Sequence, residues 1–177
     1  MWLRRFTRDD AEVLLALDQD PLVRTYVEDG EPVTLEEARI TVEHFLAYYE
    51  RSEVFGFWAA VEKSTGSFLG WFHLRPRERA NTREPELGYR LVSRCWGKGY
   101  ATEGSRALID MGFTTSDIAR VVAETMVVHT ASRRVMEKAG LRLVRTFHAD
   151  WPVRVLGDEH GDVEYAVTRE EWEAQRA

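Results

Sequence analysis

Apolar residues recur along the chain with two periods, and the switches between them mark its elements. Trp2 to Phe6 reads as a short strand. Behind it, Asp9 or Asp10 caps a helix whose apolar positions Val13, Leu14 and Leu17 recur at helical spacing. Thr34-Leu35-Glu36-Glu37 has the form of a capping box, in which hydroxyl and carboxylate satisfy each other's free backbone donors, and predicts a helix to about Arg51. Val54 to Glu62 and Ser67 to Leu74 are rich in aromatic and β-branched residues. With the turn residues Lys63-Ser64-Thr65-Gly66 between them they predict a hairpin. Arg75 to Arg83 shows no apolar period and reads as a loop, followed by a strand from about Pro85 to Val92. A glycine-bearing turn, Ser93 to Tyr100, then leads into a helix with Ala101, Ser105, Leu108 and Met111 as its buried stripe. Arg120 to Val128 is a β-branched strand, and Thr130 to Ala139 is helix-forming with Gly140 as its stop. Leu141 to Phe147 extends again. After an irregular stretch with Pro152, Gly157 and Gly161 come a last strand, Val163 to Thr168, and a terminal helix opened by the capping pattern Thr168-Arg169-Glu170-Glu171. Strands and helices neither alternate strictly nor segregate, which predicts an α+β layer on a mixed sheet.

Composition narrows the classes of function. At roughly 150 residues per domain, 177 residues make one domain, and no repeat, low-complexity run or Pro/Gly/Ser-rich linker divides them. The 24 basic against 30 acidic residues give a net charge of −6, which repels a polyanion and attracts a cationic partner, so no direct nucleic-acid partner is expected. Cys95 is the single cysteine and has no internal disulfide partner. No stretch has the apolar length of a secretory signal or a bilayer span, so the expected location is cytoplasmic with no membrane partner. The five histidines, His44, His73, His129, His148 and His160, form neither H-E-x-x-H nor a Cys/His cluster, and no metal site is expected.

The segment Ser93-Arg94-Cys95-Trp96-Gly97-Lys98-Gly99-Tyr100 carries the first chemistry. Gly97 and Gly99 remove side chains where backbone N–H groups can turn toward a ligand, the following helix adds its positive dipole end, and Arg94 and Lys98 add charge at the rim. Such a loop suits phosphate groups. A glycine turn that merely starts a helix satisfies the same spacing, and another phosphorylated ligand would fit the cradle equally. The Lys-Ser/Thr ending of a P-loop and the dinucleotide G-x-G-x-x-G are both missing.

Arg94, Gly97 and Gly99 also match R/Q-x-x-G-x-G/A, and through them the chain resembles the GNAT superfamily of N-acetyltransferases. Glu86-Leu87-Gly88-Tyr89-Arg90-Leu91, Trp96 to Glu103 and Ala131 to Leu141 extend the likeness in the family's order, and are similar to the branch that acetylates ribosomal-protein amino termini. The resemblance implies a single domain over residues 1–177, with a mixed, mostly antiparallel sheet, helices on both faces and a splayed central strand pair. Acetyl-CoA would then lie in the gap between the strand ending near Val92 and the strand around Val121 to Val127. Its pyrophosphate would meet the amides from about Trp96 to Ala101, and its pantetheine the open edge of Leu91 to Ser93. The implied cofactor-binding set is Leu91, Val92, Ser93, Arg94, Trp96, Gly97, Lys98, Gly99, Tyr100, Ala101, Thr102, His129 and Ser132. A homodimer is also implied.

Acyl transfer to an amine needs a neutral nucleophile, a polarised thioester carbonyl and a proton for the departing thiolate. At pH 7 an α-amine of pKa near 7.8 is roughly 14% neutral and a lysine near 10.4 about 0.04%, so an α-amine needs little base help. The resemblance puts Glu86 beside the thioester as a base acting through water, with Glu84 as second choice; pairing of Glu86 with a basic neighbour is the competing reading. Glu103 and Glu137, at helical positions, read as solvated or structural. For the acid, many relatives carry a tyrosine at the position of Met136, which donates no proton. Ser132, one turn earlier, takes that role by the ribosomal-branch likeness, and helix capping is its alternative. His129 stands where relatives usually carry asparagine, still able to hydrogen-bond but titrating near pH 6.5. Cys95 reads as an inert thiol, and Phe57, Trp58, Trp71 and Phe72 read as core, with one face of the hairpin lining the acceptor cleft as the lesser alternative. The expected activity is acetyl transfer to a primary amine, with a basic protein α-amino group favoured. A small-molecule amine and a noncatalytic acyl-CoA-binding module are the alternatives. Asp20 to Val33, Arg75 to Arg83 and Trp151 to Gly161 are the segments expected to choose the acceptor.

Overall fold

A computed structural model describes residues 1–25, 33–149 and 156–176. Its strands are β1 (Trp2–Arg4), β2 (Gly56–Val61), β3 (Phe68–Pro76), β4 (Pro85–Leu91), β5 (Arg120–Met126), β6 (Arg142–Phe147) and β7 (Asp162–Thr168). The helices are α1 (Ala11–Asp18), α2 (Pro21–Arg24), α3 (Leu35–Tyr49), α4 (Tyr100–Thr115), α5 (Thr130–Lys138) and α6 (Arg169–Ala174). All seven strands join one sheet in the order β1-β2-β3-β4-β5-β7-β6, antiparallel throughout except between β4 and β5. Both capping boxes form, Thr34 with Glu37 and Thr168 with Glu171.

Register assigns the two faces. Phe57 lies opposite His73 and His73 opposite Gly88, so these side chains share a face. Phe57 stacks on Phe45 of α3 with ring centroids 3.8 Å apart, which puts α3 on that side. Trp58, Phe72 and Tyr89 share the other face, where Phe72 meets Gly104 of α4. On the far half of the sheet Tyr165 opposes Ala123 and donates to Glu137 of α5 at 2.9 Å, so α5 lies on the α4 side.

Four elements depart from the sequence reading. Strand β1 ends at Arg4, because Phe6 turns into the core and its amide donates to the Tyr49 hydroxyl. Strand β3 runs beyond Leu74, since Arg75 and Pro76 pair with Glu86 and Pro85, and opposite charges face each other across that rung. The buried stripe of α4 is Gly104, Ser105, Leu108, Ile109, Gly112 and Phe113, while Ala101 and Met111 are half-buried. Counting apolar side chains overlooks glycine, and the two glycines let α4 approach Phe72 and Leu74 of the sheet. The short α2 was not read either, although Asp20 capping the Leu22 amide at 3.0 Å and Pro21 in the first turn are its signature.

The parallel pair β4–β5 shares one rung among the described residues, Glu86 with Val122. Beyond it the strands part toward their carboxy-terminal ends and leave a gap in the middle of the sheet.

Candidate active site

At the mouth of this gap β4 runs into a single 3-10 turn, closed by the Cys95 amide on the Val92 carbonyl at 2.9 Å and the Trp96 amide on the Ser93 carbonyl at 3.0 Å. Gly97 (φ +73°) and Gly99 (φ +87°) then adopt left-handed backbone and swing the chain into α4. The Glu103 amide bonds to the Gly99 carbonyl at 3.0 Å. Among the described residues no protein oxygen accepts from the amides of Gly97, Lys98, Gly99, Tyr100, Ala101 or Thr102. Six free donors thus gather at the positive end of a 16-residue helix, an arrangement that binds an anion. The Trp96 amide, already bonded, stands outside that set. A groove of about 590 Å³ continues from it along α4, lined in part by Gly99, Thr102, Arg106 and Lys138. Arg94 leans away and donates to the Phe68 carbonyl at 3.1 Å, and the Tyr100 hydroxyl donates to Glu62 at 2.6 Å. Lys98 is exposed.

Of the edge from Leu91 to Ser93, one amide opens to the gap. The Val92 amide bonds to Leu69 of β3 at 3.0 Å, so strand alternation points the Leu91 N–H and C=O away from β3. The Leu91 carbonyl accepts the Trp96 indole N–H at 2.8 Å, leaving its N–H free for a thioester or amide oxygen. The Ser93 amide donates to the Asp20 carboxylate at 3.1 Å, and hydrogen bonds from the Ser93 hydroxyl and amide hold that carboxyl below its usual range.

On the α5 side, Ser132 is buried with its hydroxyl 2.9 Å from the phenol oxygen of Tyr89, which also reaches the Ser132 carbonyl at 3.2 Å. Burial pushes the Tyr89 phenol up to about 12, against the opposing effect of the Ser132 bond, so it stays protonated. Met136 is packed in the core. A hydroxyl pair therefore spans from β4 to α5 where the two central strands separate. Tyr89 was not singled out from sequence, although strand alternation puts it on the same side as Leu87 and Leu91, facing the helix that carries Ser132. His129 precedes the first residue of α5, and burial lowers its pKa.

On the α3 side, Arg75 holds Glu86 at 3.1 Å, and the nearer imidazole nitrogen of His73 lies 4.0 Å from the same carboxylate oxygen. Burial, reinforced by Arg75, lowers the His73 pKa to about 3, so the ring is neutral and this contact is not an ion pair. Glu84 pairs with Arg120 at 2.8 Å. Glu124 meets Arg77 at 2.7 Å, and the buried Glu164 accepts from Arg120 and Arg145, each at 2.9 Å. Glu103 accepts the Met1 ammonium at 2.7 Å and Glu137 the Tyr165 hydroxyl, both structural roles. Burial pushes the Cys95 thiol pKa up, which suits inertness. Among the described residues no group of three or more His, Cys, Asp or Glu could hold a metal ion. Residues 26–32 and 150–155, which include parts of two segments expected to choose the acceptor, lie outside the described residues.

Residues 1–142 match the family described as acetyltransferase (GNAT) domain. The chain belongs to this family. It is 38% identical over 167 residues to the FsC-acetyl coenzyme A-N(2)-transacetylase of Aspergillus fumigatus, covering 91% of this chain and 70% of that protein. Among solved structures, the fold is that of a ribosomal L7/L12 α-N-protein acetyltransferase bound to coenzyme A (TM-score 0.79, 20% identity, 94% and 92% of the two chains). It is also that of an aminoglycoside acetyltransferase bound to coenzyme A (TM-score 0.77, 19% identity, 99% and 98%). This GNAT chain is an acetyl-CoA-dependent N-acetyltransferase, and an amine is its acceptor. No helix among the described residues is long and apolar enough to cross a membrane.

Proposed function

We propose that this acetyltransferase acts on a primary amine of a small molecule, rather than on the protein α-amine that the ribosomal-branch blocks suggested. The observation that carries the reading is the 38% identity, over nine-tenths of the chain, to a relative whose name specifies transfer to an N(2) nitrogen. The likeness to the ribosomal-protein enzyme, at 20% identity, extends to the fold alone.

Bound acetyl-CoA supplies an acetyl group activated on a thiol leaving group. The amides of Gly97 to Thr102 hold its diphosphate, and the gap between β4 and β5 takes its acyl arm past the free Leu91 N–H. The residues on the two sides of the sheet then divide the work. On the α3 side a carboxylate, where Glu86 and Glu124 both stand, receives the proton that the amine loses as its nitrogen bonds to the acyl carbon. On the α5 side the carbon–sulfur bond breaks, and the Ser132 hydroxyl, with Tyr89 donating to its oxygen, directs its own proton at the departing sulfur. Proton acceptor and proton donor thus stand on opposite sides of the sheet, which suits direct attack.

Coupling CoA-thiol release to a panel of amino-acid esters, polyamines, aminoglycosides and amino-terminal peptides tests the acceptor class. The expected result is a kcat/KM for at least one small amine more than tenfold above every peptide. Peptides ahead of all small amines would return the acceptor to protein amino termini.

A further inference from the structure

Three carboxylates, Glu86, Glu124 and Glu164, face the α3 side around the gap, and their surroundings separate them. Glu164 has a side chain only 7% exposed and accepts from Arg120 and Arg145, with Arg77 at 3.6 Å as well, so its oxygens are committed to guanidinium groups. Glu86 stands on the last rung that ties β4 to β5, directly opposite Arg75 in the β3–β4 ladder, a partner fixed by strand register. Glu124 lies two residues further along β5, at the level of Gly88 and just past that rung, where the gap opens. Its side chain is a quarter exposed, and its ion partner Arg77 lies beyond the end of β3, outside the ladder.

We propose that Glu124 is the carboxylate that takes the proton from the acceptor amine, with Arg77 occupying the position of the incoming ammonium until the acceptor displaces it. The proposal rests on the reading above that the thioester lies in the gap. The amine arrives as an ammonium paired with Glu124 and gives one proton through that carboxylate to solvent, and the neutral nitrogen bonds the acyl carbon. As the carbon–sulfur bond breaks, the nitrogen gives its second proton to the Glu124 carboxylate, and the electron pair leaves on sulfur, which takes its proton from the Ser132 hydroxyl, itself reprotonated from solvent. Gly88, at the level of Glu124 on β4, carries no side chain, and the His73 ring takes the place that one would occupy on that face.

Every charged group facing Glu124 bears on its titration. Burial raises its pKa, and the like charges of Glu86 on β4 and Glu164 on β7 raise it further, while Arg77 lowers it; the net shift is upward. Arg120, Arg145, Arg75 and Glu84 act one contact away through Glu164, Glu86 and Arg120. An upward shift suits a group that must hold a proton during the transfer.

The full chain, with acetyl-CoA and either ornithine ethyl ester or an amino-terminal peptide as probe, separates the possibilities. Glu124→Gln should lower kcat about a hundredfold or more with both probes, leave coenzyme A affinity unchanged, and abolish the acidic limb of the kcat/KM profile. Arg77→Ala should move that limb to higher pH. Retention of kcat within threefold in Glu124→Gln with the acidic limb intact overturns the proposal, as does loss of the limb in Glu86→Gln alone. Turnover of the peptide but not the ester would sink the small-molecule reading and still decide Glu124. A carbon-13 titration of the Glu124 carboxyl in the coenzyme A complex decides without any acceptor. It should titrate above the usual glutamate range and fall in Glu86→Gln, whereas titration at or below that range contradicts the assignment.

Discussion

A buried hydroxyl is informative when its partner is another hydroxyl, because each can pass the hydrogen on. Tyr89 can donate to Ser132 and leave the Ser132 proton free for sulfur, so the two should act as a unit. Ser132→Ala is expected to lower kcat more than it raises KM, and Tyr89→Phe to lower kcat in the same direction by a smaller factor. A double variant no slower than Ser132→Ala alone would confirm the coupling. His73 gives a pH dependence of stability. Its folded pKa near 3 lies below its ordinary 6.5, so in acid the unfolded chain binds a proton that the folded chain refuses. Stability should therefore fall as pH drops from about 6.5 toward 3. Between pH 7 and pH 4.5, urea unfolding should show a loss about 2–3 kcal/mol larger in the wild type than in His73→Leu. Equal losses would mean that the ring is protonated in the fold.

The loop and α4 act together through four glycines with two different duties. Gly97 and Gly99 serve backbone conformation, since no atom lies within 4 Å of a Cβ added to either. Alanine at either position is expected to cost about 1–2 kcal/mol of strain, turn the free amides, and weaken coenzyme A binding severalfold by calorimetry; unchanged affinity would make the loop only a turn. Gly104 and Gly112 serve close packing. Alanine at Gly104 would meet Phe72, and also the Met1 side chain at 2.5 Å, so Gly104→Ala should lower stability by about 1–3 kcal/mol in urea while the free amides of the loop stay in place. These duties mark how far the sequence can be read. Capping boxes, the hairpin and the glycine loop are local, written within a few residues, and all were legible. The turned stripe of α4, the extension of β3 by Arg75 against Glu86, and Tyr89 reaching Ser132 depend on partners 11 to 43 residues away. A single sequence scanned for period does not show such partners. Glu86 and Ser132 are candidates that family spacing names, whereas their placement on opposite sides of the sheet is visible only in the register.

Across the whole molecule, a break in one sheet links the two faces. The α4–α5 side carries free amides and a hydroxyl pair, and the α3 side carries carboxylates interleaved with arginines, all meeting where β4 and β5 part. The net charge of −6 favours cationic acceptors without choosing among them. What the whole account requires is that coenzyme A occupies the amides at the start of α4. Nitrogen-15 amide spectra of the full chain, titrated with coenzyme A, test this directly. The largest shifts should fall on Gly97 to Thr102, with a second group at Leu91 on the open edge of β4. Shifts concentrated elsewhere while these amides stay unmoved would contradict it.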